Sequence, residues 1–251
     1  SFNISTAVAF VAAATGVAVA KHGNKAISSK SGSADVLSEL GVNITADISV
    51  MKNAIEEIGV GFLFAPNYHP AMKHAASVRR ELGLRTIFNV LGPLTNPAGA
   101  PRQLMGIFDR SLTQPIAEVL GKLGSEKAWV VHGSDGVDEL TICGDSFVSE
   151  WDGQTVNNHT ISPSDVGLKV HPAGSMKGGT PAENAEKMKT ILAGQDSGPL
   201  TDAIALNAGA ALYVSGLAES LKDGVGKAQE TLKAGKPAKV LSSLVDFTTQ
   251  S

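Results

Sequence analysis

Cysteine is almost missing: Cys143 is the only one in 251 residues. That excludes an internal disulfide framework and fits a reducing, cytoplasmic setting. A charge excess is missing too. With 21 Lys and Arg against 24 Asp and Glu the net charge is −3, so no global basic field gathers nucleic acid or an anionic membrane, and neither is expected as a partner. The apolar run Ala7–Ala20 is too short to span a bilayer, is broken by Gly16, and lacks a signal peptide's basic flank and cleavage context. Fixed-period repeats and low-complexity tracts are absent, which sets aside solenoids and disordered tails. No G-x-S-x-G stands in the chain, and the six histidines show no H-E-x-x-H or cysteine-paired spacing, so neither a serine nucleophile elbow nor a zinc site is read. The sequence opens on Ser1 rather than methionine, and "SFNIST" leads straight into a helical run, so an N-terminal part is expected to be missing.

What is present is an α/β rhythm carrying 43% hydrophobic residues, enough for a substantial core. "TAVAFVAAATG" predicts a buried helix closed by Gly16, and "VAVA" a short strand delivering the chain into a loop that begins at Lys21. "SADVLSELG" predicts a helix, a second helix covers 47–58, and "VGFLFA" reads as a continuous apolar strand of the parallel kind. From Pro70 to Leu91 the pattern is helical on both sides of Gly83, and "GPLTNPAGAP" breaks it. "LMGIF" and "AWVVHG" read as strands on either side of a helix, "PIAEVLGKLG", and "FVSEWDGQTVNNHTI" as a polar edge hairpin turning at Asp152-Gly153. Thr180-Pro181-Ala182-Glu183 is a capping box, followed by helices near 200–222, 224–234 and 237–246. The expected fold is α/β, a central mixed and largely parallel sheet flanked by helices.

Three segments carry chemistry. "KHGNKAISSKSGSAD", Lys21–Asp35, leaves the end of a buried strand, where open α/β folds place ligands. Phosphate oxygens only accept hydrogen bonds, and Lys21, Gly23, Asn24, Lys25, Ser28, Ser29, Gly32 and Ser33 supply ammonium, hydroxyl and backbone donors. A solvated surface loop has a similar composition. "NIST", Asn3–Thr6, stands at a helix start, whose positive end favours an anion, although the same residue types are ordinary caps. "HGSDGVDELTI" places Asp138 and Glu139 side by side after another strand. Such carboxylates suit Mg²⁺, provided a loop lets both face one ion, since a regular strand points them apart. Acidic turns are also commonplace. Taken together, the donor loop and the carboxylate pair imply a magnesium-bound diphosphate.

These residues resemble the anthranilate phosphoribosyltransferase family. "NIST", "KHGNKAISSKSGSAD", "FLFAPNYHPAMKHAASVRRELGLRTIFNVLGPLTNP", "VHGSDGVDE" and "GGTPAEN" occur in the family's order and spacing across nearly the whole chain. The block ending in "NVLGPLTNP" argues against the related pyrimidine nucleoside phosphorylases. The resemblance implies that phosphoribosyl diphosphate is held by Asn3, Ile4, Ser5 and Thr6, by Lys21, His22, Gly23, Asn24, Lys25, Ala26, Ile27, Ser28 and Ser29, and by Ser33. It implies Mg²⁺, two ions, on Ser5, Asp138 and Glu139, and anthranilate against Asn24, Arg79, His22, His69 and Pro93. An arginine suits that carboxylate through its planar fork, although in "SVRRELG" it also reads as a solvated helix residue. The implied organisation is one α/β domain over 1–69 and 96–251, with a helical pair over 70–95 belonging to a small helical domain, and a homodimer at full length.

Two departures stand out. The family's glycine-rich "GTGGD" loop and N-terminal helices precede the segment matching Ser1 and have no counterpart here, and Lys25 stands where an arginine is expected. The implied reaction is attack of the anthranilate amine on the anomeric carbon as diphosphate leaves, with positioning and electrostatics rather than a covalent nucleophile. Its rivals are a non-catalytic or nucleic-acid-binding relative of the fold and an enzyme with another acceptor.

Overall fold

The computed structural model describes residues 2–26, 31–72, 74, 81 and 88–250. Helix α1, Ile4–Ala14, is apolar on every side, and nine of its eleven residues are buried, as a helix through the middle of a core must be. Gly16, at φ +99°, turns the chain out of it. Strand β1, Val19–Gly23, pairs in parallel with β2, Val60–Phe64, from Val19 opposite Val60 to Gly23 opposite Phe64. Helices α2, Ser33–Glu39, and α3, Ile48–Ile58, make the crossover between them. The strand starts two residues later than "VAVA" and runs on through Lys21, His22 and Gly23, the residues read as loop. Pairing with β2 overrides their polarity. Gly23 is required there, because a Cβ would lie 2.2 Å from Ser33 Oγ and 2.8 Å from the Phe62 ring.

After β2 come a single turn, α4, Ala65–Tyr68, a 3₁₀ turn at Pro70–Met72 and helix α5, Phe88–Leu94. Most of the intervening segment expected to be helical lies outside the described residues. Strand β3, Arg102–Gly106, helix α6, Thr113–Lys122, and strand β4, Lys127–Gly133, follow. Strands β5, Ser146–Trp151, and β6, Val156–Ile161, complete a sheet of order β3-β4-β5-β6, parallel at its first pairing and antiparallel at the other two. The mixed α/β class is as expected. Among the described residues, however, the strands fall into two sheets, because no described strand bridges β1 to β3. The polar hairpin is the edge, with Asn157 to Thr160 exposed. Its turn spans 152–155, longer than the Asp152-Gly153 pair, because Asp152 Oδ1 accepts from both the Gln154 and Thr155 N–H groups at 2.8 Å.

The C-terminal part is helical: α7, Pro181–Leu192, α8, Pro199–Ser215, α9, Leu221–Lys233, and α10, Lys236–Thr249. The capping box holds, with the Thr180 N–H on Glu183 Oε2 at 2.8 Å. Helix α8 stops well before residue 222, since Gly216 at φ +86° closes it and Ser220 caps the next helix through the Asp223 N–H. The main core gathers Ile4, Phe10, Leu37, Met51 and Phe62 with Ile204 and Leu206, and a smaller one packs Met105, Ile107, Ile116 and Leu120 between β3, β4 and α6. Each such side chain contributes about 1.5–3 kcal/mol on burial.

Candidate active site

Parallel pairing sends β1 and β2 out of the sheet at one edge, and the site grows there. The loop after β1 is drawn tight by Asp35. Its Oδ2 accepts from the Ala26 N–H at 2.8 Å and the Gly32 N–H at 2.9 Å, while Asn24 O accepts from the Ala34 N–H at 3.2 Å and Ser33 Oγ at 3.3 Å. Gly32 is obligatory, because a Cβ would meet Ala26 N at 2.4 Å and the Lys25 carbonyl carbon at 2.6 Å. Asn24 and Lys25 are exposed at the mouth. The expected donors Ile27, Ser28 and Ser29 lie outside the described residues.

The α1 N-terminus, β1 and the acidic loop converge. The Glu139 carboxylate stands within electrostatic reach of Asp138, Lys21 and the Ser5 N–H at the start of α1. Desolvation and the neighbouring Asp138 push Glu139 up to about 8, against the opposing pull of Lys21 and the Ser5 N–H. Lys21 is held below the ordinary lysine range by desolvation, an effect partly offset by Glu139 and Asp138. Asp138 and Glu139 lie in irregular chain rather than in strand, as a shared ion requires. Of the anticipated donors, Thr6 is turned inward, 1% exposed, and its hydroxyl has no partner among the described residues. Asn3 precedes α1 without capping it. Its amide instead binds Ser31 and Asn184.

The acidic loop is pinned from two sides that sequence reading missed. Gly106, at the end of β3, lies so close that a Cβ would sit 1.6 Å from Asp138 O. Asn207, 1% exposed on α8, accepts from the Leu140 N–H at 3.0 Å and donates to Leu140 O at 2.8 Å. Its other N–H goes to Ala203 O at 2.9 Å. A lone asparagine in "AIALNAGAAL" was the available signal, because an amide in so apolar a helix needs a partner of its own.

A second cluster opens beside the first. His22 and His69 meet edge to face with ring centroids 5.1 Å apart. His22 Nδ1 lies 3.1 Å from Gly92 O, next to Pro93, while Asn96 Nδ2 donates to Ala20 O at 3.0 Å and ties that segment to β1. Desolvation first, then His69, lower His22 to about 4, so at neutral pH its Nδ1 carries the proton given to Gly92 O. The Nε2 atoms of both rings are buried without a partner among the described residues. The structure therefore brings His22, His69 and the Pro93 segment together. Arg79 lies outside the described residues.

The donor set fits magnesium. The exposed Asp138 and the less accessible Glu139 present two hard carboxylates near the Ser5 end of α1. No group of three or more His, Cys, Asp or Glu suited to a metal occurs among the described residues. No described helix is long and apolar enough to cross a membrane.

A helix N-terminus and a lysine close to a carboxylate pair at the end of an α/β sheet strand are groups suited to a phosphorylated substrate and its cation. Residues 1–238 match the model of the glycosyl transferase family, a/b domain. Anthranilate phosphoribosyltransferase from Rhodospirillum rubrum is 50% identical over 98% of this chain and 70% of its own. The crystal structure of the Thermus thermophilus anthranilate phosphoribosyltransferase superposes with a TM-score of 0.93 at 50% identity, covering 98% of this chain and 73% of that one. The Saccharomyces cerevisiae enzyme in complex with PRPP and Mg superposes at 0.90 with 30% identity, covering 100% and 70%. The chain belongs to the anthranilate phosphoribosyltransferases.

Proposed function

We propose that this protein transfers the phosphoribosyl group of 5-phosphoribosyl 1-diphosphate to anthranilate, giving N-(5-phosphoribosyl)anthranilate and diphosphate in tryptophan biosynthesis. The observation that carries the reading is the meeting of the Ser5 end of α1, Lys21, Asp138 and Glu139 at one sheet edge. The N-terminal dipole of α1 and the Lys21 ammonium face the diphosphate, and the segment between β1 and α2 supplies further donors to its phosphates. Ser5, Asp138 and Glu139 hold Mg²⁺, as two ions, which supplies charge neutralisation of the departing diphosphate. The neutral His22, donating through Nδ1 to Gly92 O, leaves Nε2 as an acceptor toward the aromatic amine. His69, Asn24, Pro93 and Arg79 complete the anthranilate side. No residue here needs to form a covalent bond. The chain's contribution is alignment and a preorganised field.

Residues 1–69 and 96–251 form the domain that binds phosphoribosyl diphosphate, and 70–95 belong with a small helical domain. The protein works as a homodimer in the cytoplasm without nucleic acid. Replacing Asp138 with Asn and Glu139 with Gln tests the reading. Turnover, followed as loss of anthranilate fluorescence, is expected to fall by about 10²-fold or more, the scale for removing an electrostatic stabiliser. Near-normal turnover at saturating Mg²⁺ would defeat the assignment.

A further inference from the structure

The motif "GGTPAEN" has so far served only as a mark of resemblance and as a helix cap, yet its last residue reaches Asn3 beside the site. Asn184, 2% exposed on α7, accepts from the Gly179 N–H at 2.8 Å and donates through Nδ2 to Asn3 Oδ1 at 2.9 Å. Ser31 Oγ donates to the same Asn3 oxygen at 3.0 Å, and Asn3 Nδ2 donates to Ser31 O at 3.2 Å. Both ends of this relay have fixed polarity, because the Gly179 N–H can only donate and the Ser31 carbonyl can only accept. Each amide between them is therefore locked in one orientation. The relay spans three stretches far apart in sequence: the turn before α7, the residue before α1, and Ser31 just ahead of α2. Its middle residue, Asn3, is thus spent on protein contacts rather than on a cap.

We infer that Asn184 is a positioning residue for phosphoribosyl diphosphate: through Asn3 it sets the spacing between the α1 N-terminus and the loop segment at Ser31–Ser33. This rests on the proposed function, since both elements face the diphosphate there. The His22 and His69 face of the anthranilate side, tied to Gly92 O, makes no bond to the relay.

The test compares Asn184→Asp, Asn3→Ala and the double variant of the intact protein by calorimetric titration with Mg²⁺ and phosphoribosyl diphosphate. The introduced carboxylate would keep the bond to the Gly179 N–H but set an oxygen against Asn3 Oδ1. Each single variant is expected to weaken binding by about 10- to 100-fold, the scale of one orphaned buried polar group. The double variant is expected to lose no more than the weaker single variant, because one relay is broken only once. The KM for anthranilate at saturating phosphoribosyl diphosphate stays within about twofold of wild type on this reasoning. Should Asn184→Asp fail to fold by circular dichroism, Asn184→Ser, which adds no charge, is expected to give the same selective loss. Affinity within about twofold of wild type, losses that multiply, or an anthranilate KM rising in step would overturn the inference. Wild-type protein that does not take up phosphoribosyl diphosphate would overturn the proposed function and this inference with it.

Discussion

Gly106→Ala tests whether the acidic loop must stay where it is. The added Cβ would stand 1.6 Å from Asp138 O and 2.5 Å from its carbonyl carbon. Ordinary contact begins at 3.4 Å, so one partner must give way by about 1.8 Å, the difference between the two oxygen distances. Strand β3 cannot, because it is hydrogen-bonded along its length to β4 from Arg102 opposite Lys127 to Gly106 opposite Val131. The loop yields instead and carries Asp138 with it. Magnesium holds oxygen ligands at about 2.0–2.1 Å in near-ideal octahedral geometry, so the displacement approaches a whole bond length. A misplacement of about 1 Å already costs about 10²-fold, or about 2.7 kcal/mol of barrier, and kcat/KM in the fluorescence assay is expected to fall at least that far. Overpacking adds about 1–3 kcal/mol of lost stability, read as a lower melting temperature with native far-UV dichroism retained. Gly226→Ala is the control, since a Cβ there meets nothing within 4 Å, and it is expected to leave turnover unchanged. A folded Gly106→Ala protein working within about threefold of wild type would refute the reasoning.

His22 predicts an acid-sensitive fold. Its folded pKa of about 4 lies below the ordinary 6.5, so between those values the unfolded chain binds a proton that the folded chain refuses. The stability from neutral His22 is complete above pH 6.5 and is lost as pH falls toward 4. Urea midpoints from about pH 4 to 7.5 should decline less steeply in His22→Gln, and parallel curves for the two proteins would remove His22 from the account. Asn207→Leu orphans both backbone groups of Leu140, at about 1–3 kcal/mol each. An unchanged urea midpoint would show that the clamp carries no stability.

Local signals in the sequence carried most of the elements. Glycine stops at Gly16 and Gly41 fall at left-handed positions, and the Thr180 box caps the helix it announces. Local reasoning failed where a distant partner decided the outcome. Lys21, His22 and Gly23 look like loop because they are polar, but hydrogen bonding to β2 makes them strand. The division of the strands between two sheets depends on edges that no residue pattern reveals. At the site, the lysine and the carboxylate pair could be picked out as candidates because their chemistry is written in their side chains. Asn184, Asn207 and Gly106 were not, since each acts by touching a segment remote from it in the chain. Thr6 is a hydroxyl of suitable type that lies buried on α1 with no partner among the described residues.

Helix α1 is wrapped in apolar neighbours along almost its whole length, and this limits how the enzyme can let go of its product. A rod buried on all sides cannot slide back or swivel without opening the core. The attraction at its tip is therefore a constant of the molecule, equally strong before and after the reaction. On the proposed function, release of the spent anion falls to parts that can move or exchange, such as the cations that accompany it, while the helix remains a stationary anchor.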